Sequence, residues 1–171
     1  MKRTLAEELP MSFPWKFATA LAVIAAVIMF APFVRAEEGG AKPQPLRAGL
    51  IGLDTSHVVA FTDLINDPAA EGVLAEVQVT AGFPGGSPDL PASWDRVNEY
   101  TAKLREKGVT IYDSIEAMLP HVDVVLVESV DGRPHLEQAR KVIASKKPLY
   151  IDKPMAASLT DVLKIFRLAD E

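Results

Sequence analysis

The stretch at residues 47–57, RAGLIGLDTSH, constrains the fold more than any other part of the chain. Its apolar residues 48–53 predict a buried strand, and Gly52 and Asp54 predict a tight turn before a helix that begins near Val58. A strand that passes through a tight turn into a helix is the repeating unit of α/β proteins. We therefore expect a parallel sheet with helices packed on its faces.

The glycine pattern of this turn departs from the usual dinucleotide-binding pattern. In doubly wound α/β proteins the turn reads G-x-G-x-x-G, and the phosphates lie at the helix N-terminus. Gly52 takes the first glycine position, whereas Asp54 and His57 take the second and third. A carboxylate at the second position would stand where the backbone approaches the pyrophosphate. Alternatively, Asp54 is a plain helix N-cap, a role that also suits Thr55 and Ser56.

The rest of the chain alternates between strand and helix patterns. Further strands are predicted at residues 73–80, 109–112, 122–128 and 148–151. Helices are predicted at residues 58–65, 93–107, 114–119, 134–145 and 159–169, with Ser93, Asp113 and Ser158 as caps. Residues 81–88 are rich in glycine and proline and predict a loop. This alternation predicts a Rossmann-like, doubly wound parallel sheet of about five strands.

Three polar segments are expected to meet at one edge of this sheet. In open α/β sheets, ligands bind in the crevice outside the carboxyl ends of the strands. Residues 54–57, 129–135 and 152–154 all follow predicted strands, so they should line that crevice. Across the second of these loops we expect Glu128 and Arg133 to form a structural ion pair.

The same edge gathers groups that can bind metals, namely His57, His135, Asp54, Asp131 and Asp152. The sequence has no closely spaced histidine pair of the H-x-x-x-H kind to support such a site. Aspartates in turns usually bond to nearby backbone groups. We therefore predict no metal site.

Composition excludes several classes of function. The chain has 171 residues, of which 49% are hydrophobic, enough for one ordinary core and an N-terminal extension. It has no cysteine, which excludes disulfides, zinc-thiolate sites and cysteine nucleophiles. Without residues 1–36, which hold four basic and two acidic residues, 14 basic and 21 acidic residues remain, a net charge of −7. An acidic domain of this kind predicts no nucleic-acid binding.

The N-terminus has the pattern of a secretory signal peptide. Residues 17–34 form an uncharged apolar run that follows basic residues and precedes the small-residue pattern at Val34 and Ala36. We expect general secretion, cleavage after Ala36, and a periplasmic or extracellular location. Alternatively, residues 17–34 remain as a membrane anchor, since the run is nearly long enough to span a bilayer. Residues 37–46 predict a flexible linker, and residues 47–171 a single domain.

Four features taken together resemble the glucose-fructose oxidoreductase, inositol dehydrogenase and MocA (Gfo/Idh/MocA) family. They are Gly52 after a strand, VDVV at residues 122–125, HLEQA at residues 135–139, and DKPMA at residues 152–156. The resemblance covers residues 46–171 in the order and spacing of the family. It implies an N-terminal NAD(P)-binding domain of an oxidoreductase that transfers a hydride between NAD or NADP and a sugar or polyol.

The resemblance also implies roles for individual residues. The family's Glu-Lys-Pro motif falls on Asp152, Lys153 and Pro154, so Lys153 would be the catalytic lysine that contacts cofactor and substrate. Apart from the resemblance, a lysine before a proline is compatible with a rigid or even cis turn, which the sequence does not decide. His135 matches a histidine near the nicotinamide. The implied cofactor-binding residues are Gly52, Leu53, Asp54, Thr55, Ser56, His57, Ser129, His135, Asp152, Lys153 and Pro154. Independently, a lysine that follows a parallel strand is expected to be partly desolvated. Alternatively, Lys153 is a solvated loop residue.

The resemblance also predicts what this chain does not contain. The family has a second, substrate-binding domain with a catalytic histidine and aspartate, and it places an acid after the second strand; neither is found here. We expect a fragment of a longer protein that is inactive alone. Its possible partners are the missing C-terminal domain or a second copy of itself; alternatively this piece alone is a monomer, because in the family the second domain's sheet often builds the dimer. The alternative function is a non-catalytic sugar-binding domain with a degenerate dinucleotide site. Neither the substrate nor a preference for NAD or NADP follows from the sequence.

Overall fold

The computed structural model describes residues 44–171. The predicted signal peptide or anchor lies outside the described residues, as does most of the predicted linker. Within the described part, no helix combines the length and the apolar character that a membrane crossing requires.

Five strands form one parallel sheet in the order β3-β2-β1-β4-β5. The strands are β1 (Leu46–Ile51), β2 (Val77–Phe83), β3 (Thr110–Ile111), β4 (Val124–Val127) and β5 (Leu149–Ile151). The helices are α1 (Ser56–Ile65), α2 (Pro91–Glu106), α3 (Ile115–Met118), α4 (His135–Ala144) and α5 (Leu159–Asp170), with 3₁₀ turns at Gly72–Glu76 and Leu119–His121. The predicted doubly wound sheet is therefore confirmed.

The central strand β1 is buried on both faces of the sheet. On one face, Leu50 belongs to a cluster with Val58, Val79, Leu104 and Val109. On the other face, Ile51 belongs to a cluster with Met118, Val122, Val125, Val127 and Val142. A strand that is covered on both sides must be apolar throughout, which explains the unbroken run at residues 48–53.

Strand β2 begins and ends later than the sequence pattern predicts. Residues 73–76, predicted to be extended, lie in the 3₁₀ turn, and the strand continues to Phe83 through a segment predicted as a loop. Pairing with β1, from Leu46 opposite Val77 to Ile51 opposite Phe83, fixes these limits. Gly82 fits because a side chain there would meet Leu53 at 3.3 Å. Sheet pairing thus overrides the loop preference of the local sequence.

Two of the predicted helix caps are wrong. Ser158 caps α5 as expected, because its side chain accepts a hydrogen bond from the Asp161 N–H at 3.1 Å. At α3 the cap is Ser114 rather than Asp113, with a 3.1 Å bond from the Ala117 N–H. Ser93 lies inside the first turn of α2, which begins at Pro91. Proline suits a first helical position because it has no N–H to satisfy, which leaves the Ser93 hydroxyl available for another contact.

Candidate functional site at the carboxyl edge of the sheet

The turn after β1 requires a glycine. Gly52 has φ +86°, and a Cβ atom there would lie 2.1 Å from Ser129 Oγ and 2.5 Å from Ser129 Cα. Its N–H donates to the Phe83 carbonyl at 3.0 Å, and the Leu53 N–H donates to the Pro84 carbonyl at 2.7 Å. The turn is therefore held between the loops that follow β2 and β4.

Asp54 points into the protein rather than into the crevice. Its side chain is fully buried, accepts a hydrogen bond from the Ser93 hydroxyl at 2.5 Å, and accepts another from the Val130 N–H at 3.0 Å. Thr55, not Asp54, is the N-cap of α1, and its hydroxyl accepts from the His57 N–H at 3.4 Å. The expectation of Asp54 as a plain cap is wrong, because its carboxylate joins α2 to the loop after β4.

A second aspartate extends this buried polar network. Asp131 accepts a 2.6 Å hydrogen bond from the Ser87 hydroxyl, and its carboxylate pairs with the Arg133 guanidinium, which also binds Asp89. The guanidinium holds the pKa of Asp131 well below its usual range. The predicted ion pair between Glu128 and Arg133 is wrong, since Arg133 is engaged by these two aspartates.

His57, Asp152 and Lys153 form one polar cluster at the mouth of the crevice. His57 Nδ1 lies 2.6 Å from Asp152 Oδ2, and Lys153 Nζ lies 3.1 Å from the same oxygen and 3.3 Å from His57 Nδ1. Burial alone would raise the pKa of Asp152, but hydrogen bonds from Lys153 and His57 lower it below its ordinary value. The Lys153 side chain is 72% exposed, so its predicted partial desolvation is wrong. The Lys153–Pro154 peptide is cis.

Glu128 is a site residue that the sequence analysis missed. It follows the last residue of β4, is 1% exposed, and neither carboxylate oxygen has a hydrogen-bond partner among the described residues. Burial, and then the charge of Asp152, raise the pKa of Glu128 to about 8. Ligand atoms of His57, Glu128 and Asp152 lie within 4.8 Å of one another. The available signal was an acid directly after an apolar strand, at the edge where Asp152 also lies.

His135 and Ser129 hold the loop after β4 together. The His135 ring is fully buried, with Nε2 2.8 Å from the Ser129 carbonyl and Nδ1 3.2 Å from the Met155 carbonyl. A neutral imidazole has one N–H and can donate to only one of these oxygens. The Ser129 hydroxyl donates to Gln138 Oε1 at 3.1 Å. In the described structure both side chains are engaged with the protein.

The predicted cofactor-binding residues therefore divide into two groups. Exposed or half-buried at the crevice are Ser56, His57, Lys153 and Pro154. Buried in the turn, the core or the loops are Gly52, Leu53, Asp54, Thr55, Ser129, His135 and Asp152. Of the five residues considered as metal ligands, the structure brings only His57 and Asp152 together. Asp54, Asp131 and His135 are bonded elsewhere.

Comparison with known proteins agrees with this architecture. The family model Gfo/Idh/MocA, an oxidoreductase family with an NAD-binding Rossmann fold, matches residues 54–171. No curated protein matches the chain. Since the match covers more than half of the chain, it extends well beyond the single motif at residues 152–156.

Several solved structures share the fold. The WlbA dehydrogenase from Bordetella pertussis, in complex with NADH and UDP-GlcNAcA, has a TM-score of 0.57 and 18% identity over 76% of this chain and 33% of its own. Myo-inositol 2-dehydrogenase from Lactobacillus plantarum has a TM-score of 0.54 and 19% identity over 74% and 33%. KijD10, a 3-ketoreductase from Actinomadura kijaniata in complex with NADP and TDP-benzene, has a TM-score of 0.52 and 22% identity over 74% and 34%. The chain thus spans about a third of each of these proteins.

Proposed function

The chain belongs to the Gfo/Idh/MocA oxidoreductase family and carries its NAD-binding domain, and on this premise we propose that the complete protein transfers a hydride between NAD or NADP and a sugar or polyol. The observation that carries the proposal is the position of Lys153. Its ammonium group is exposed at the carboxyl edge of the sheet, beside His57 and Asp152. This edge is where open α/β sheets bind their ligands.

The N-terminus of α1 fits the pyrophosphate of a dinucleotide. Helix N-termini attract phosphates through free N–H groups and the helix dipole. The first turn of α1 has no acidic residue, and both oxygens of Asp54 are bonded inside the protein. The sequence-based objection, a carboxylate in the path of the pyrophosphate, is thereby weakened. We propose that the backbone of residues 54–57 contacts the phosphates, as in related domains.

Lys153 is the proposed catalytic residue. The bound nicotinamide supplies or accepts the hydride. The Lys153 ammonium is well suited to hydrogen-bond a substrate hydroxyl or carbonyl oxygen and to hold a proton there, because its long side chain is exposed. Asp152 would orient this ammonium through the contact of 3.1 Å, and His57 would in turn hold Asp152 in place by donating its Nδ1–H to the carboxylate.

A cofactor titration tests the proposal. The 171-residue chain is titrated with NADH and NADPH, and binding is measured by nicotinamide fluorescence and calorimetry. We expect binding of at least one of them, weakened about tenfold or more in Lys153→Ala, which corresponds to about 1.4 kcal/mol. Lys107→Ala is the matched control, because Lys107 follows the C-terminal end of α2 and pairs with Asp63, away from the crevice. No binding at millimolar cofactor by a folded chain, or equal loss in both variants, would contradict the proposal.

One observation favours a second candidate, a non-catalytic domain that binds a sugar. Strand β2 ends at Phe83 and is followed by Pro84, so no acid stands where related domains hold the adenosine ribose. Asp89, the first acid of that loop, is paired with Arg133. Thermal stabilisation of the chain by sugars, without any stabilisation by nucleotides, would favour this candidate over the oxidoreductase.

We also propose that the protein is exported, from the signal-peptide pattern at residues 1–36. Expression of the full chain in a Gram-negative host, followed by mass measurement of the periplasmic product, tests this. Export with cleavage predicts a protein that begins at Glu37. A membrane-bound product of full mass would instead indicate that residues 17–34 act as an anchor.

A further inference from the structure

The carboxyl group of Glu128 is buried without a hydrogen-bond partner among the described residues. Buried carboxylates are normally hydrogen-bonded, because an unpaired polar group inside a protein costs free energy. Both oxygens of Glu128 are buried without a partner among residues 44–171, although the side chain lies at the end of β4, where the crevice opens. A ligand bound in the crevice would satisfy both oxygens.

Two further side chains that can bind a metal lie close to Glu128, and they come from neighbouring elements of the fold. Glu128 follows β4, Asp152 follows the adjacent strand β5, and His57 lies in the first turn of α1 after β1. Their ligand atoms all lie within 4.8 Å of one another, and His57 Nδ1 is 2.6 Å from Asp152 Oδ2. Ligands bonded at about 2.0–2.2 Å to one ion lie roughly 3–4 Å apart. Small side-chain movements would therefore complete a three-ligand site.

We propose that His57, Glu128 and Asp152 bind one divalent transition-metal ion. One imidazole and two carboxylates suit Zn²⁺, Mn²⁺ or Fe²⁺, whereas Mg²⁺ and Ca²⁺ prefer sites built from oxygen alone. Three protein ligands leave further coordination positions open. Since His57 is about one-third exposed, the ion can be reached from the crevice, and its open positions are available to water or to hydroxyl and carboxylate oxygens of a small molecule.

The Lys153 ammonium lies beside two of the three proposed ligands. It lies 3.1 Å from Asp152 Oδ2 and partly balances the charge of the cluster. A metal ion would repel this ammonium and compete with it for the same oxygen. Because Lys153 is 72% exposed, its side chain can turn away from Asp152 without losing buried contacts. Metal binding and the orientation of Lys153 for hydride transfer are therefore alternative states of the same cluster. Loss of the lysine charge should therefore strengthen metal binding. If the contact between Lys153 and Asp152 were only a structural ion pair, this gain would not be expected.

The experiment measures metal binding without nucleotide, so it is independent of the proposed hydride transfer. The full chain is treated with a chelator, dialysed, and titrated with MnCl₂ by electron paramagnetic resonance and with ZnCl₂ by calorimetry. We expect one equivalent per chain. Each of His57→Gln, Glu128→Gln and Asp152→Asn should weaken binding at least tenfold, and Lys153→Met should tighten it several-fold.

Matched controls lie away from the cluster. They are His121→Gln, Glu137→Gln and Asp170→Asn, which remove the same groups from exposed positions and should leave binding within about twofold of the unmodified chain. Circular dichroism confirms that every variant is folded. Absence of binding by the folded chain, or binding that any one of the three ligand substitutions leaves unchanged, overturns the proposal. Weaker metal binding by the Lys153→Met variant than by the unmodified chain also overturns the proposal.

Discussion

The carboxylate of Asp54 accepts a 2.5 Å hydrogen bond from the hydroxyl of Ser93, 39 residues later in the chain. Both side chains are fully buried. The residue at the second glycine position of the turn thus fastens the N-terminus of α2 to the turn after β1. The aspartate that departs from the glycine pattern of a phosphate-binding turn thus forms, in the structure, a contact between this turn and the first turn of α2.

We predict that Asp54→Gly destabilises the chain, although it brings the turn closer to the usual glycine pattern. The substitution leaves the Ser93 hydroxyl and the Val130 N–H without their acceptor. An unsatisfied buried group costs about 1–3 kcal/mol, so the free energy of unfolding in urea should fall by about 2–4 kcal/mol. Asp54→Asn, which keeps one acceptor oxygen, should cost less. A glycine variant as stable as the parent chain would show that these bonds contribute nothing.

Gly52→Ala should be among the most damaging small substitutions in the domain. A methyl group there meets Ser129 Oγ at 2.1 Å and also requires alanine at φ +86°. Gly108 is the matched control, because it has φ +83° but open space around it. Conformational strain alone costs about 1–2 kcal/mol, whereas we expect Gly52→Ala to cost roughly 3–5 kcal/mol. Chemical denaturation measures the free energy of unfolding of Gly52→Ala and Gly108→Ala. Equal losses in the two variants would mean that the contact with Ser129 relaxes easily.

The sheet could be predicted from the sequence because its signals are local. The apolar run at residues 122–128 reads as a buried strand whatever surrounds it, and β4 lies within it. The limits of β2 could not be predicted, since they depend on pairing with β1 across 31 residues. Likewise, serine is a favourable cap residue, so the sequence predicts Ser93 as a cap. Its hydroxyl instead donates to Asp54, which is distant in sequence and comes close only in the folded chain.

The sequence predicted where the candidate site lies but not all of the residues that form it. The rule that ligands bind at the carboxyl ends of parallel strands correctly brought His57, Asp152 and Lys153 together. It could not show that Glu128 turns into the crevice, because Arg133, its expected partner, is bound to Asp89 and Asp131 instead. Differences of a few ångströms decide which charged side chains form ion pairs, and a sequence pattern does not give these distances.

Acid should destabilise the chain partly through Asp131. Arg133 lowers the pKa of this carboxyl in the folded state, so the ionised form stabilises the fold above the unfolded-state pKa of about 3.9. That contribution is lost as the pH falls below about 4 toward the folded-state pKa. Asp131→Asn should lower stability at pH 7 by about 1–3 kcal/mol and flatten the loss of stability below pH 4, as measured by urea unfolding at several pH values. If the free energy of unfolding of Asp131→Asn fell with pH below pH 4 as steeply as that of the parent chain, this prediction would be contradicted.

Two adjacent residues of α5 should respond very differently to truncation. Ile165 is 3% exposed and Phe166 is 56% exposed, although both are large and apolar. Ile165→Ala removes buried methyl groups and should lower the free energy of unfolding by about 2–4 kcal/mol. Phe166→Ala removes a ring that remains largely in water, so we expect a loss of less than about 1 kcal/mol. Urea unfolding of both variants measures the difference, and a loss in Phe166→Ala as large as that in Ile165→Ala would mean that another part of the protein covers this ring.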